Sequence, residues 1–113
     1  MANTTTVSGS TIQIVPDGTT DWVWSTDLTT GMGGGGGILI KSIQFLPSAT
    51  SDRLIIHEGG LDGAAIFDSG PFADAYDARV KTFDPNKWCK PYFDASDCTF
   101  GTAASCRIYI EIA

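Results

Sequence analysis

The chain has 113 residues, 42% hydrophobic and 18% charged, which places it among ordinary globular domains rather than disordered segments. Its formal charge is −6, and the seven Lys and Arg are scattered, so a phosphate-tracking, nucleic-acid-binding surface is not expected. No apolar run approaches the ~20 residues of a membrane-crossing helix, and the opening MANTTTVSGST lacks the basic start and apolar stretch of a secretion signal.

Residues 1–9, MANTTTVSG, are small and polar. They read as a flexible N-terminal arm, or as an edge strand that orders against a neighbour. A single β-domain is expected over 10–113. In STIQIV (10–15) Ile12 and Ile14 lie two apart, and PDGTT follows as a turn. DWVWS (21–25) puts Trp22 and Trp24 on one face of a strand and Val23 on the other. ILIKSIQFLP (38–47) is the longest strand candidate, stopped by Pro47. RLIIHE (53–58), AAIFDS, ARVKTFD (78–84) and KPYFD (90–94) follow, separated by glycine- and aspartate-rich turns. In the terminal SCRIYIEIA, Cys106, Ile108, Ile110 and Ile112 face one way and Arg107, Tyr109 and Glu111 the other. Helix signals are nearly absent; only 71–81, PFADAYDARVK, has room for a turn or two. About eight short strands without helical crossovers predict an antiparallel β-sandwich, jelly-roll-like.

Gly33, Gly34, Gly35, Gly36 and Gly37 form an unbroken glycine tract inside a glycine-rich loop, 31–37. The tract satisfies G-x-G-x-x-G only trivially. A strand-like ILIKSIQF follows it instead of a helix, and no G-K-[ST] is present, so a phosphate loop is rejected on context. Too few strand candidates precede it for a separate domain. It reads as a loop at a surface tip or at a contact with another chain, because ordering five glycines in a buried position costs the most entropy.

No constellation points to catalysis or to a metal. His57 is the only histidine and no G-x-S-x-G elbow exists. Cys89, Cys98 and Cys106 lack the short C-x₂₋₄-C spacing that preorganises zinc, and they read as reduced, small hydrophobes. The acidic turns EGGLDG (58–63) and DASD (94–97) do not reproduce a calcium loop. No enzyme and no cofactor is expected. Trp22, Trp24 and Trp88 stay open between core, subunit interface and sugar-stacking platform.

The run DRLIIHEGGLDGAAIFDSG, followed by KTFDPNKWCKPYFDASDCTFGTAASCRIYIEIA, resembles small β-rich structural proteins of the head and tail of tailed bacteriophages. The likeness covers about residues 38–113 and contains no catalytic signature. It implies a non-enzymatic virion protein, most concretely a capsid decoration protein that binds the major capsid protein, made in a host cytoplasm and carried on the virion. A homo-oligomer, with a trimer favoured, is expected. Contacts are expected through Thr4, Thr5, Thr6 and Val7 of the arm, through Gly33–Gly37, and through Trp22, Trp24 and Trp88. The alternative reading is a carbohydrate-binding sandwich, or a receptor-binding fibre component, that stacks sugars on its Trp and Tyr.

Overall fold

The computed structural model describes residues 3–23, 38–60, 63–70 and 78–112. The described residues form nine strands: β1 Thr4–Ser8, β2 Thr11–Val15, β3 Trp22–Val23, β4 Ile38–Leu46, β5 Ile55–Glu58, β6 Ala65–Asp68, β7 Arg79–Cys89, β8 Pro91–Phe93 and β9 Arg107–Ile112. One 3₁₀ turn, Ala103–Ser105, precedes β9. Among the described residues no α-helix occurs; of the stretch 71–81 expected to hold a helical turn, 71–77 lie outside them and Arg79–Lys81 belong to β7.

The strands form a five-stranded sheet, β1-β2-β9-β4-β7, and a four-stranded sheet, β3-β8-β5-β6. Every pairing is antiparallel. The partners nest: β2 pairs with β9, β3 with β8, β4 with β7 and β5 with β6. The chain from β2 onward is therefore one long hairpin, closed at the β5–β6 turn and rolled so that its paired segments alternate between two sheets. Rolling adds the pairs β4–β9 and β5–β8. This is the jelly-roll sandwich that the short alternating strands predict.

The core follows the period of two. Ile12 and Ile14 of β2, and Ile108 and Ile110 of β9, are fully buried, while the residues between them face outward. In β4 the alternation breaks: Ile38 and Ile40 are buried, and so are Ile43 and Phe45. The register shifts between Ile40 and Ser42 against both neighbours. That bulge at Lys41 returns the strand to phase, so one nine-residue strand keeps all its apolar residues inside. An aromatic chain then ties the sheets together. Trp22 stacks on Phe93 with centroids 6.2 Å apart, Phe93 meets Phe100 edge-on at 6.1 Å, and Phe100 meets Phe45 at 5.9 Å.

The expected flexible arm is, from Thr4 onward, an edge strand of the protein's own sheet. Gly9 and Ser10 make a two-residue turn with Gly9 at φ 60°, and Ser8 pairs with Thr11. The β-branched Thr4, Thr5 and Thr6 suit the strand, and glycine at the first turn position lets the hairpin close without a side-chain clash. Two tertiary ties hold the strand down. The Trp22 indole N–H donates to Thr5 Oγ1 at 3.0 Å, and the Asn3 amide donates to the Thr20 carbonyl at 2.9 Å.

One buried carboxylate organises the loops at one end. Asp52 is fully buried and accepts from the Ser48 N–H and hydroxyl, each at 2.6 Å, from the Gly101 N–H at 2.7 Å and from the Cys106 thiol at 3.3 Å. Burial pushes the carboxyl up, but the hydrogen bonds from Ser48 and Gly101 outweigh it and leave Asp52 below its ordinary value. The loop after β4 is thereby fixed to the loop before β9.

Candidate functional site

The sandwich has two lateral edges. On one, β1 and β3 are the outer strands of the two sheets; on the other, β7 and β6 are. The large hydrophobic side chains exposed among the described residues are Val7, Val80 and Trp88. Val7 belongs to β1, and Val80 and Trp88 belong to β7, so all three lie on the outermost strands of the five-stranded sheet. Trp88 is 66% exposed; its Cα partner is Leu39 on the outer face.

The expected contact residues divide accordingly. Thr4, Thr5, Thr6 and Val7 sit together on β1, with Thr5 half-buried and the others exposed. Trp22 is a correction: it is 1% exposed, stacked on Phe93 and capped by Thr5, so it serves the core and presents no surface to a subunit or a sugar. It faces inward because β3 pairs with β8 in register Trp22↔Phe93, which places both rings on the inner face. Trp24 and the tract Gly33–Gly37 lie outside the described residues.

β7 runs to eleven residues, well past the ARVKTFD segment read from the sequence. Its pairing with β4 is interrupted, since Ile40 faces Lys87 and Ser42 faces Thr82. The intervening Phe83-Asp84-Pro85-Asn86 bulges from the ladder opposite Lys41, with a cis peptide before Pro85. Proline lacks the N–H a ladder needs and is tolerated in such a bulge at a sheet edge. Lys81 crosses from β7 to β6, donating to the Ile66 carbonyl at 3.0 Å with its ammonium 5.2 Å from the Phe83 ring centroid. A groove runs between these two strands, floored by Ala65, Ile66 and Phe83 and rimmed by Lys81 and Lys87.

Charge is distributed unevenly along the chain. Residues 79–90 hold Arg79, Lys81, Lys87 and Lys90 against the single acid Asp84. The first forty residues hold Asp17, Asp21 and Asp27 and no Lys or Arg. Asp17 sits beside β1, its N–H donating to Asn3 Oδ1 at 2.9 Å. Burial pushes its carboxyl up, but the hydrogen bonds from the Thr20 hydroxyl and the Thr19 and Thr20 N–H groups together outweigh it and bring the carboxyl down to about 2. Asp21 accepts from the Tyr92 hydroxyl at 2.7 Å and from the Ala95 N–H at 2.9 Å. That hydrogen bond, with burial behind it, pushes Tyr92 up to about 12.

His57 is spent on structure. Its Nδ1 lies 3.0 Å from the Gly63 carbonyl and its Nε2 3.3 Å from Asp97 Oδ2, which links β5 to the turn after β8. In the DASD turn, Asp94 accepts from the Ser96 N–H and hydroxyl. The three thiols are free. Burial raises Cys89 to about 12 and Cys98 and Cys106 to about 11, so all three stay protonated and weakly nucleophilic at neutral pH. Among the described residues no group of three or more His, Cys, Asp and Glu is placed to hold a metal ion.

A further shallow depression lies on the outer face of the five-stranded sheet, lined by Thr11, Ser42, Gln44, Val80, Tyr109 and Glu111. Sequence reasoning missed this face, the Asp52 centre and the Lys81 crossing. The strand period was there to place Tyr109 and Glu111 outward, but which outward residues of β2, β4 and β9 adjoin depends on strand order. Compared with protein-family models, with curated proteins and with solved structures, the chain matches none.

Proposed function

We propose that this chain is a non-enzymatic structural protein of a tailed-bacteriophage virion, most concretely a capsid decoration protein that seats on the major capsid protein. The observation that carries the reading is the placement of every exposed large hydrophobic among the described residues on the outermost strands β1 and β7. Exposed apolar residues on an open strand edge are what a β-domain presents to another protein, through main-chain pairing and side-chain burial. The likeness over residues 38–113 supplies the virion context. Polar side chains that would otherwise be candidates for chemistry are engaged within the fold: His57 by Gly63 and Asp97, Tyr92 by Asp21, and Asp52 by Ser48 and Gly101.

The test is co-sedimentation of the purified chain with assembled capsid shells and, separately, with tails of the phage that encodes it. Saturable retention on shells at a fixed copy number per capsid subunit supports the reading. Retention on tails alone moves the protein to the tail, and retention on neither overturns the virion role. A carbohydrate-binding role has one observation in its favour, the exposed ring of Trp88. On that reading Trp88→Ala abolishes retention on a glycan array while the thermal melt stays in place; Trp22 takes no part, because it is core.

A further inference from the structure

We propose that two copies of this chain pair through β1 about a two-fold axis, antiparallel and centred on Thr6, so that their five-stranded sheets join into one. The inference goes beyond the virion reading and holds whether or not the chain docks on a capsid.

The hydrogen bonds around β2 show which main-chain groups of β1 are left over. In an antiparallel ladder each residue turns its N–H and C=O to one neighbour, and consecutive residues turn to opposite sides. The Ser10 carbonyl accepts from the Ile112 N–H at 2.8 Å, so Ser10 turns toward β9. By alternation Ile12 and Ile14 also turn toward β9, where they lie opposite Ile110 and Ile108. Thr11, Gln13 and Val15 then turn toward β1, where their partners are Ser8, Thr6 and Thr4. A two-residue turn that begins with Gly9 at φ 60° closes on just such a bonded Ser8–Thr11 pair. Thr5 and Val7 consequently aim their N–H and C=O away from β2. Among the described residues no strand lies on that side.

Nothing on β1 itself guards this edge. Natural sheets blunt their edges with charge, proline, bulges or a covering segment. TTTVS carries no charge and no proline, shows no register shift, and is exposed at every residue but the half-buried Thr5. The Trp22 indole, donating to Thr5 Oγ1 at 3.0 Å, holds the strand in place, so little order has to be gained on pairing.

The match of β1 to itself names the occupant. With Thr6 on the axis, Thr5 of each copy faces Val7 of the other and Thr4 faces Ser8, so the whole strand pairs. The outward N–H and C=O groups of Thr5 and Val7 then satisfy one another. An axis between two residues would set outward groups against groups already bonded to β2. An axis on Thr5 or Val7 would leave one end of β1 unpaired. Side chains agree with the central register, because opposed residues share one side of a sheet. On the outer side Thr6 meets Thr6. On the side of Ile12 and Ile14, the exposed Val7 meets Thr5 of the other copy. Both are favourable cross-strand pairs. Charge does not oppose the arrangement. Asp17, bonded to Asn3, sits beyond the Thr4 end of the strand. Antiparallel pairing sets the two Thr4 ends on the order of 13 Å apart along the strands, past the screening length of about 8 Å at physiological salt. The contact is isologous and closes at two copies.

Light scattering on the full-length chain across a concentration series tests this. Wild type is expected to rise from the 12.0 kDa chain mass to twice that mass and no further. Val7→Pro deletes an N–H that points outward and that β2 does not use. Proline is tolerated at such an edge position, so the variant is expected to keep the wild-type circular dichroism and to stay at the single-chain mass. Thr6→Cys puts two thiols face to face on the axis, in a non-hydrogen-bonded pair with Cα atoms about 4.5 Å apart, within disulfide range. Mild oxidation is expected to link most of its chains into dimers on a non-reducing gel. Thr4→Cys is the control, expected to stay unlinked because its two thiols lie at opposite ends of the contact. A wild-type monomer at every concentration overturns the inference, as does growth past two chains or a folded Val7→Pro variant that still associates. Where Val7→Pro unfolds, the cysteines decide: no link from Thr6→Cys, or an equal link from Thr4→Cys, overturns it.

Discussion

Asp52 shows how much a single polar residue can hold in a sandwich of this size. Its carboxylate gathers donors from Ser48, Ala49, Gly101 and Cys106, joining segments that lie far apart in sequence. Asp52→Asn turns an acceptor into a group with an amide facing several N–H donors. The expected loss is about 2–4 kcal/mol of unfolding free energy, read from urea denaturation. The pH dependence follows from the lowered folded-state value. The carboxylate's stabilisation is fully present above the ordinary 3.8 and is lost as pH falls through the lower value in the folded protein. Wild type is therefore expected to lose stability steeply below about pH 4, and Asp52→Asn to show a shallower decline. The two described tryptophans give a second contrast. Trp22→Ala empties a fully packed position and is expected to cost about 3–5 kcal/mol, whereas Trp88→Ala on the exposed edge stays within about 0.5 kcal/mol in the monomer. The thiols give a third. With no disulfide to reduce, and with burial holding each thiol protonated, the thermal midpoint is expected to be unchanged by reductant. Alkylation of the native protein at neutral pH is expected to be slow until the chain unfolds.

Hairpins and bulges govern the behaviour of the elements. In the β5–β6 hairpin a Cβ placed on Gly63 runs into the Glu58 carbonyl, so Gly63→Ala forces the turn backbone to move. A loss of about 1–3 kcal/mol is expected, together with loosening of the His57 contact to the Gly63 carbonyl, visible as a shift of the imidazole NMR signals. The β1–β2 hairpin is attached less deeply. Deleting residues 1–9 removes the edge strand and the Thr5 acceptor for the Trp22 indole but leaves the core residues of both sheets in place. The truncated chain is expected to remain folded and to lose about 1–3 kcal/mol, read from urea denaturation. The phase break in β4 was legible in the residues themselves: in ILIKSIQFL the apolar period slips by one between Ile40 and Ile43, which demands a bulge if both pairs are to face inward. The β7 bulge was not legible. Pro85 in KTFDPNKW argues against a continuous strand, and only pairing with β4 on both sides of the bulge joins Arg79–Thr82 to Lys87–Cys89 as one edge.

At the scale of the whole molecule, nesting of the first strand of the roll with the last sets the folding problem. β2 meets β9 across nearly the full length of the chain, so most of the loop-closure entropy must be met before the central pair of the five-stranded sheet forms. Refolding is expected to take milliseconds to seconds, the range of sandwiches dominated by non-local pairs, and stopped-flow tryptophan fluorescence reads it through the stacking of Trp22 on Phe93. What the sequence determined by itself is the all-β class, the position of most strands and which side of each strand is apolar, because these rest on local period and turn chemistry. It also determined the charge asymmetry, since the lysine-rich 79–90 stretch and the base-free N-terminal third can be counted along the chain. Only the tertiary structure decided that β1 belongs to the fold and that Trp22 is core while Trp88 is surface. Each of those depends on strand order and on which side of the sandwich a face turns toward. Both are set by long-range pairing, which a period of two cannot specify.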